Sequence, residues 1–109
     1  MSDCIRELLK TNKYLLADGA TGTNLFAMGL LTGDSPELWN VDHPDRIAKN
    51  YNSFIEAGSD IILTNTFGGT AARLKLHNAQ HRVHELSRIG AELGRNVADR
   101  TSRPIIVAG

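Results

Sequence analysis

Three short, uninterrupted apolar runs limit what this chain can fold into: Tyr14-Leu15-Leu16-Ala17, Asp60-Ile61-Ile62-Leu63-Thr64 and Pro104-Ile105-Ile106-Val107-Ala108. Each has strand length. The second and third show no polar alternation, which is the pattern of strands covered on both faces of a parallel sheet. Between them Val83, Leu86, Gly90, Leu93 and Val97 fall at alternating three- and four-residue spacings and form one helical stripe. That stripe predicts a helix from Asn78, as N-cap, to Arg100, ended before Pro104.

The stretch before the second run repeats this logic. Ile47, Tyr51, Phe54 and Ile55 share a face, Asp42 or His43 can cap it, Pro44 and Asp45 suit a first turn, and Gly58 sits where a glycine ends a helix. Shorter helices are predicted over residues 21–28 and 70–77. Strand, helices, strand, helices, strand makes parallel neighbours with right-handed crossovers, so the class is α/β. An open doubly wound sheet and a piece of a barrel both satisfy this order.

Other properties remove function classes. Lys+Arg 12 against Asp+Glu 12 leaves no net charge to attract nucleic acid or an anionic membrane. No stretch reaches the roughly 18 apolar residues of a membrane span. Met1 to Lys13 reads as an amphipathic helical turn or two and not as a secretion signal. Cys4, the only cysteine, allows neither an internal disulfide nor a thiolate-rich metal site, and a reducing cytoplasm is the expected location.

In either architecture ligand chemistry gathers at the C-terminal ends of parallel strands. The first run ends in Asp18-Gly19-Ala20-Thr21-Gly22-Thr23, the second in Thr64-Asn65-Thr66-Phe67-Gly68-Gly69, the third in Gly109. A carboxylate closing an apolar strand must be solvated, paired or bound to a cation, so Asp18 is a candidate for a ligand ammonium group. The bland alternative is that it bonds the amides of its own turn.

Gly19 and Gly22 let a ligand approach backbone amides that can hold a carboxylate, or they simply make a tight turn. The segment has neither the Gly-Lys-Ser/Thr ending of a phosphate loop nor dinucleotide-type glycine spacing. Thr64, Asn65 and Thr66 offer neutral donors and acceptors with Phe67 as an apolar wall. Alternatively, they cap a helix near Thr70.

His77, His81 and His84 would lie on one side of a continuous helix, but Gln80, Arg82, Glu85 and Arg88 mark that side as solvated, so a metal role is not assigned. Trp39 is read either as a lid over the strand ends or as a packed loop anchor.

Leu16 to Leu25, Pro36-Glu37-Leu38-Trp39-Asn40, and Ala57 to Phe67 together resemble the opening of the homocysteine S-methyltransferase family, and Ala71-Ala72-Arg73-Leu74 and the run ending Val107-Ala108-Gly109 extend the resemblance. The resemblance implies a (β/α)8 barrel that methylates the sulfur of homocysteine to give methionine. The donor is betaine, S-methylmethionine, or methyltetrahydrofolate acting through cobalamin. The texture of Asp18 to Phe26 and of Phe67 to Leu76 is most similar to bacterial betaine-homocysteine methyltransferases.

By the same resemblance, residues 1–109 are the N-terminal three β/α units of a truncated barrel, since a complete one needs roughly 250 residues. Asp18 is expected to hold the homocysteine ammonium, the turn Gly19, Ala20 and Thr21 its polar end, and Thr64, Asn65, Thr66 and Phe67 the rest of the pocket. The family's zinc is held by three cysteines. None of those positions exists here and Cys4 matches none, so the 109-residue chain alone is expected to be inactive. Homocysteine and a small methyl donor are the expected partners. A small non-catalytic α/β ligand-binding domain is the alternative of a different class, though three parallel strands bury little by themselves.

Overall fold

The computed structural model describes residues 4–109. Helix α1 (Cys4–Thr11) opens it, so of the amphipathic N-terminus only residues 1–3 lie outside the described residues. Then follow α2 (Thr21–Ala27), a 3-10 turn at Pro36–Leu38, α3 (Trp39–Asp42), α4 (Pro44–Glu56), β1 (Ile61–Leu63), α5 (Ala71–Leu74), 3-10 turns at Lys75–His77 and Gln80–Arg82, α6 (Val83–Asp99) and β2 (Ile106–Ala108). No helix among the described residues is long and apolar enough to cross a membrane.

β1 and β2 pair in parallel, Ile61 opposite Ile106 and Leu63 opposite Ala108. The run Tyr14–Ala17 lies along the other side of β1 in the parallel sense but makes only one bridge, Ala17 to Ile61. The expected first strand is thus not realised, and the reason is local. Asp60 Oδ2 accepts the Leu16 N–H at 3.0 Å and Asp18 Oδ2 accepts the Leu63 N–H at 3.0 Å, so side-chain carboxylates interrupt the ladder at both ends. Between them Ile61 N–H to Leu16 O and Asp18 N–H to Ile61 O keep the register.

Helices α4 and α6 pack on one face of this sheet. Leu25, Ile47, Tyr51, Ile55, Ile62, Val97 and Ile105 form the main core, and Leu74, Ala79 and Leu86 a smaller one under the turns before α6. The stripe read from the sequence spans both. Its helix begins at Val83 and not at Asn78, because Asn78 takes the left-handed conformation (φ 55°) and closes the preceding 3-10 turn. There Ala79 N–H reaches back to Leu74 O and Asn78 N–H to Lys75 O, and asparagine is among the few residues that tolerate this geometry. The break takes His77 and His81 off the helix that carries His84. Gly58 (φ 111°) ends α4 as expected, with Ser59 N–H bonding Phe54 O and Gly58 N–H bonding Ile55 O.

Candidate functional site

Register fixes which residues meet at the C-terminal edge of the sheet. Leu63 N–H bonds the Asp18 carboxylate on one side, and on the other Thr64 N–H bonds Ala108 O at 2.8 Å. Asp18, Thr64 and Gly109 therefore share that edge, as their strand-end positions require.

Asp18 divides its carboxylate between two tasks. Oδ2 is held by the neighbouring strand, which is a structural bond, although not to its own turn. Oδ1 is buried and has no hydrogen-bond partner. A buried carboxylate oxygen without a donor is costly, and each one in a folded protein needs an explanation. A cationic group arriving from outside the described residues supplies one.

The turn from Gly19 to Ala20 leads into α2 at Thr21, and no side chain of the described residues caps that helix. Of the three residues expected to meet a carboxylate, Thr21 contributes a first-turn N–H of this helix, while Gly19 and Ala20 lie in the turn before it.

At the second strand end the hydroxyls of Thr64 and Thr66 lie 2.8 Å apart. One donates to the other, which leaves one O–H of the pair for a further acceptor. Phe67 is 85% exposed, with the Arg73 guanidinium 5.2 Å from its ring centre. Asn65 is different: it is buried, and its amide donates to Pro36 O at 2.8 Å and to Asn40 Oδ1 at 2.9 Å. It belongs to the support of the turn, while Thr64, Thr66 and Phe67 form its open side. The cap of α5 is Thr70, whose Oγ1 accepts from Arg73 N–H, and not the Thr64–Thr66 segment.

Sequence reasoning missed the residues that hold this turn. Tyr51 OH accepts the Asn65 N–H at 2.7 Å and donates to Gly90 O at 3.1 Å. Asn40 donates to Asn65 O and Leu86 O, both at 3.0 Å. Glu37 Oε2 accepts the Gly68 N–H at 3.0 Å. The signal was present, since a core tyrosine needs a partner for its hydroxyl and an acid beside the apolar Leu38 and Trp39 is unusual. Trp39 itself is the loop anchor: it is buried, edge-to-face with His43 and stacked by Arg46 at 5.0 Å.

Among the described residues no three His, Cys, Asp or Glu side chains come together to hold a metal ion, so the zinc implied by the resemblance finds no donor set in this part of the molecule. A depression of about 400 Å³ between α4 and α6, lined by Asp45, Lys49, Val97 and Arg100, lies on the helical side and shares no residue with the strand ends. Chemistry and not concavity locates the site.

Comparisons with known proteins identify the family. A methionine synthase of Mycobacterium tuberculosis is 32% identical over 100 residues, which are 86% of this chain and 8% of that protein. One of Mycobacterium leprae is 31% identical over 106 residues, 90% of this chain and 9% of that protein. The metallated form of the homocysteine methyltransferase MmuM from Escherichia coli superimposes with TM-score 0.82 at 27% identity, over 97% of this chain and 40% of that one. The chain thus spans less than half of the solved relative and a far smaller part of the curated ones. The profile of the homocysteine S-methyltransferases matches residues 15–109, and the chain belongs to that family.

Proposed function

We propose that residues 1–109 are the N-terminal, amino-acid-binding part of a cytoplasmic (β/α)8-barrel enzyme that transfers a methyl group to the sulfur of homocysteine. The observation that carries this reading is Asp18 Oδ1, a buried acceptor without a partner at the C-terminal edge of parallel strands. The homocysteine ammonium donates to it. The Gly19–Thr21 turn and the Thr64–Thr66 hydroxyl pair receive the substrate carboxylate, and Phe67 walls the pocket. No residue of this chain is assigned to zinc. For the donor we keep betaine, on the texture of residues 18–26 and 67–76. The identity to two methionine synthases supports a second reading, a cobalamin-borne methyl group from methyltetrahydrofolate. Supplying the full-length enzyme in turn with betaine and with methylcobalamin separates the two.

Asp18→Asn in the full-length enzyme tests the site. The amide oxygen still accepts the Leu63 N–H, so the strand junction survives, but an NH2 group takes the place of the free carboxylate oxygen. Loss of a charge-assisted contact at a desolvated site costs about 1.5 to 3 kcal/mol, or roughly 10- to 150-fold. The specificity constant for homocysteine falls by that factor with zinc content unchanged, and a thiol lacking the amino group serves parent and variant equally. A homocysteine constant within about twofold of the parent would show that Asp18 only joins the strands.

A further inference from the structure

The turn after β1 is held from outside itself. Asn65 N–H goes to Tyr51, Asn65 O to Asn40, and Gly68 N–H to Glu37. Two of these three partners, and the Pro36 carbonyl that receives the Asn65 amide, come from the single stretch Pro36–Asn40. Glu37 is the unusual member. It is 6% exposed, and its carboxylate receives the neutral donors Ser35 Oγ at 3.1 Å and Gly68 N at 3.0 Å.

Burying a carboxylate among neutral groups costs desolvation that its hydrogen bonds only offset, so net stability is a weak reason for an acid at this position. What the side chain does supply is a fixed two-point anchor, since one terminal atom accepts the Gly68 N–H while the other bonds the Ser35 hydroxyl. The fit is close from the other side as well. A Cβ at Gly68 would stand 2.6 Å from Glu37 Oε1, a distance at which the carboxylate must leave.

We infer that Glu37 is a positioning residue, a latch on Gly68 N–H that fixes the strand-end turn so that Thr66 and Phe67 face the homocysteine pocket. The inference rests on the homocysteine reading above and adds a residue that touches no substrate. The latch spans two β/α connections and makes the shape of the pocket depend on the loop before α3.

Two substitutions in the full-length enzyme open the latch from opposite sides: Glu37→Ala removes the acceptor, and Gly68→Ala displaces it at a position with no positive φ to forbid alanine. Glu37→Gln restores it, since the amide oxygen accepts from Gly68 and the NH2 donates to Ser35 Oγ. Loss of one such bond corresponds to about tenfold. Both alanine variants exchange the amides of residues 64–69 for deuterium about tenfold faster and raise KM for homocysteine by a similar factor, with kcat near that of the parent, and Glu37→Gln reverses both effects. If Glu37→Ala does not fold, Gly68→Ala carries the test alone. Unchanged exchange overturns the latch; faster exchange with unchanged KM overturns its positioning role. A parent enzyme that ignores homocysteine removes the substrate reading and this inference with it, and is told apart from a failed latch because exchange is read without substrate.

Discussion

Tyr51 sits on the core-facing stripe of α4, and its ring is as buried as the aliphatic residues beside it, yet its hydroxyl acts on the sheet. Burial pushes its ionisation from the ordinary 10.0 up to about 12; the Asn65 N–H opposes the rise and the Asp18 charge adds to it. The folded state therefore holds this proton more tightly than the unfolded chain. Stability from Tyr51 is fully present below pH 10.0 and is lost as pH rises toward about 12. A Tyr51→Phe variant lacks that loss. Its denaturation midpoint lies lower at neutral pH, because Asn65 N–H and Gly90 O lose their partner at about 1 to 3 kcal/mol for each unsatisfied group, and the gap to the parent narrows in strong alkali. Equal midpoints at every pH would mean that water replaces the hydroxyl. None of this was legible in the sequence, where Tyr51 reads only as a core position, because periodicity reports which face is buried and not which polar atom lies across from it.

The element that the sequence described most faithfully is α6, since a long amphipathic stripe constrains a helix strongly; its start was misplaced because Asn78 suits an N-cap and a left-handed turn equally well. The first run misled for a different reason. Its apolar composition is that of a strand, but Asp18 and Asp60 take the amides that would have extended the ladder, and such long-range side-chain bonds leave no trace in local pattern. Gly90 shows the same limit from the opposite side. In sequence it is a weak point in a helix, and alanine there should gain about 1 kcal/mol of helix propensity. In the fold a Cβ at that position stands 2.8 Å from Asn40 Nδ2, 3.0 Å from Thr66 Cγ2 and 3.1 Å from Asn65 O, where helix and strand-end turn approach closely. The neighbours are a buried amide with both hydrogens bonded and a backbone carbonyl, neither free to move. Overpacking costs about 1 to 3 kcal/mol and outweighs the propensity gain. Gly90→Ala accordingly lowers the thermal midpoint, and a stabilised variant would show that α6 slides outward at no cost.

At the scale of the whole molecule, the described residues cover the sheet on one side only. Ile62 and Val107 turn toward the helical core, so by alternation Ile61, Leu63, Ile106 and Ala108 take the opposite face, where Leu63 is 49% exposed. Leu16 at 49% and Phe67 at 85% exposure, on the adjoining segments, add apolar surface. The sequence announced this arrangement, because unalternating runs belong to strands buried on both faces, whereas only one covering layer is encoded between them. Half of the candidate site was legible for the same reason: strand ends could be read off the runs, and with them the shared edge of Asp18 and Thr64, while the support from Glu37, Asn40 and Tyr51 depends on how the helices close over the sheet. An uncovered parallel sheet with unpaired outer edges is a surface that associates. Produced by itself, the 109-residue chain therefore sediments as dimers or larger species at micromolar concentration and binds a hydrophobic dye, whereas the full-length barrel we propose covers the same face with its other strands and does neither. A monodisperse, dye-silent monomer of residues 1–109 would mean that α1 or the loop before α3 folds over the open face in solution. The barrel reading would then lose its simplest physical support.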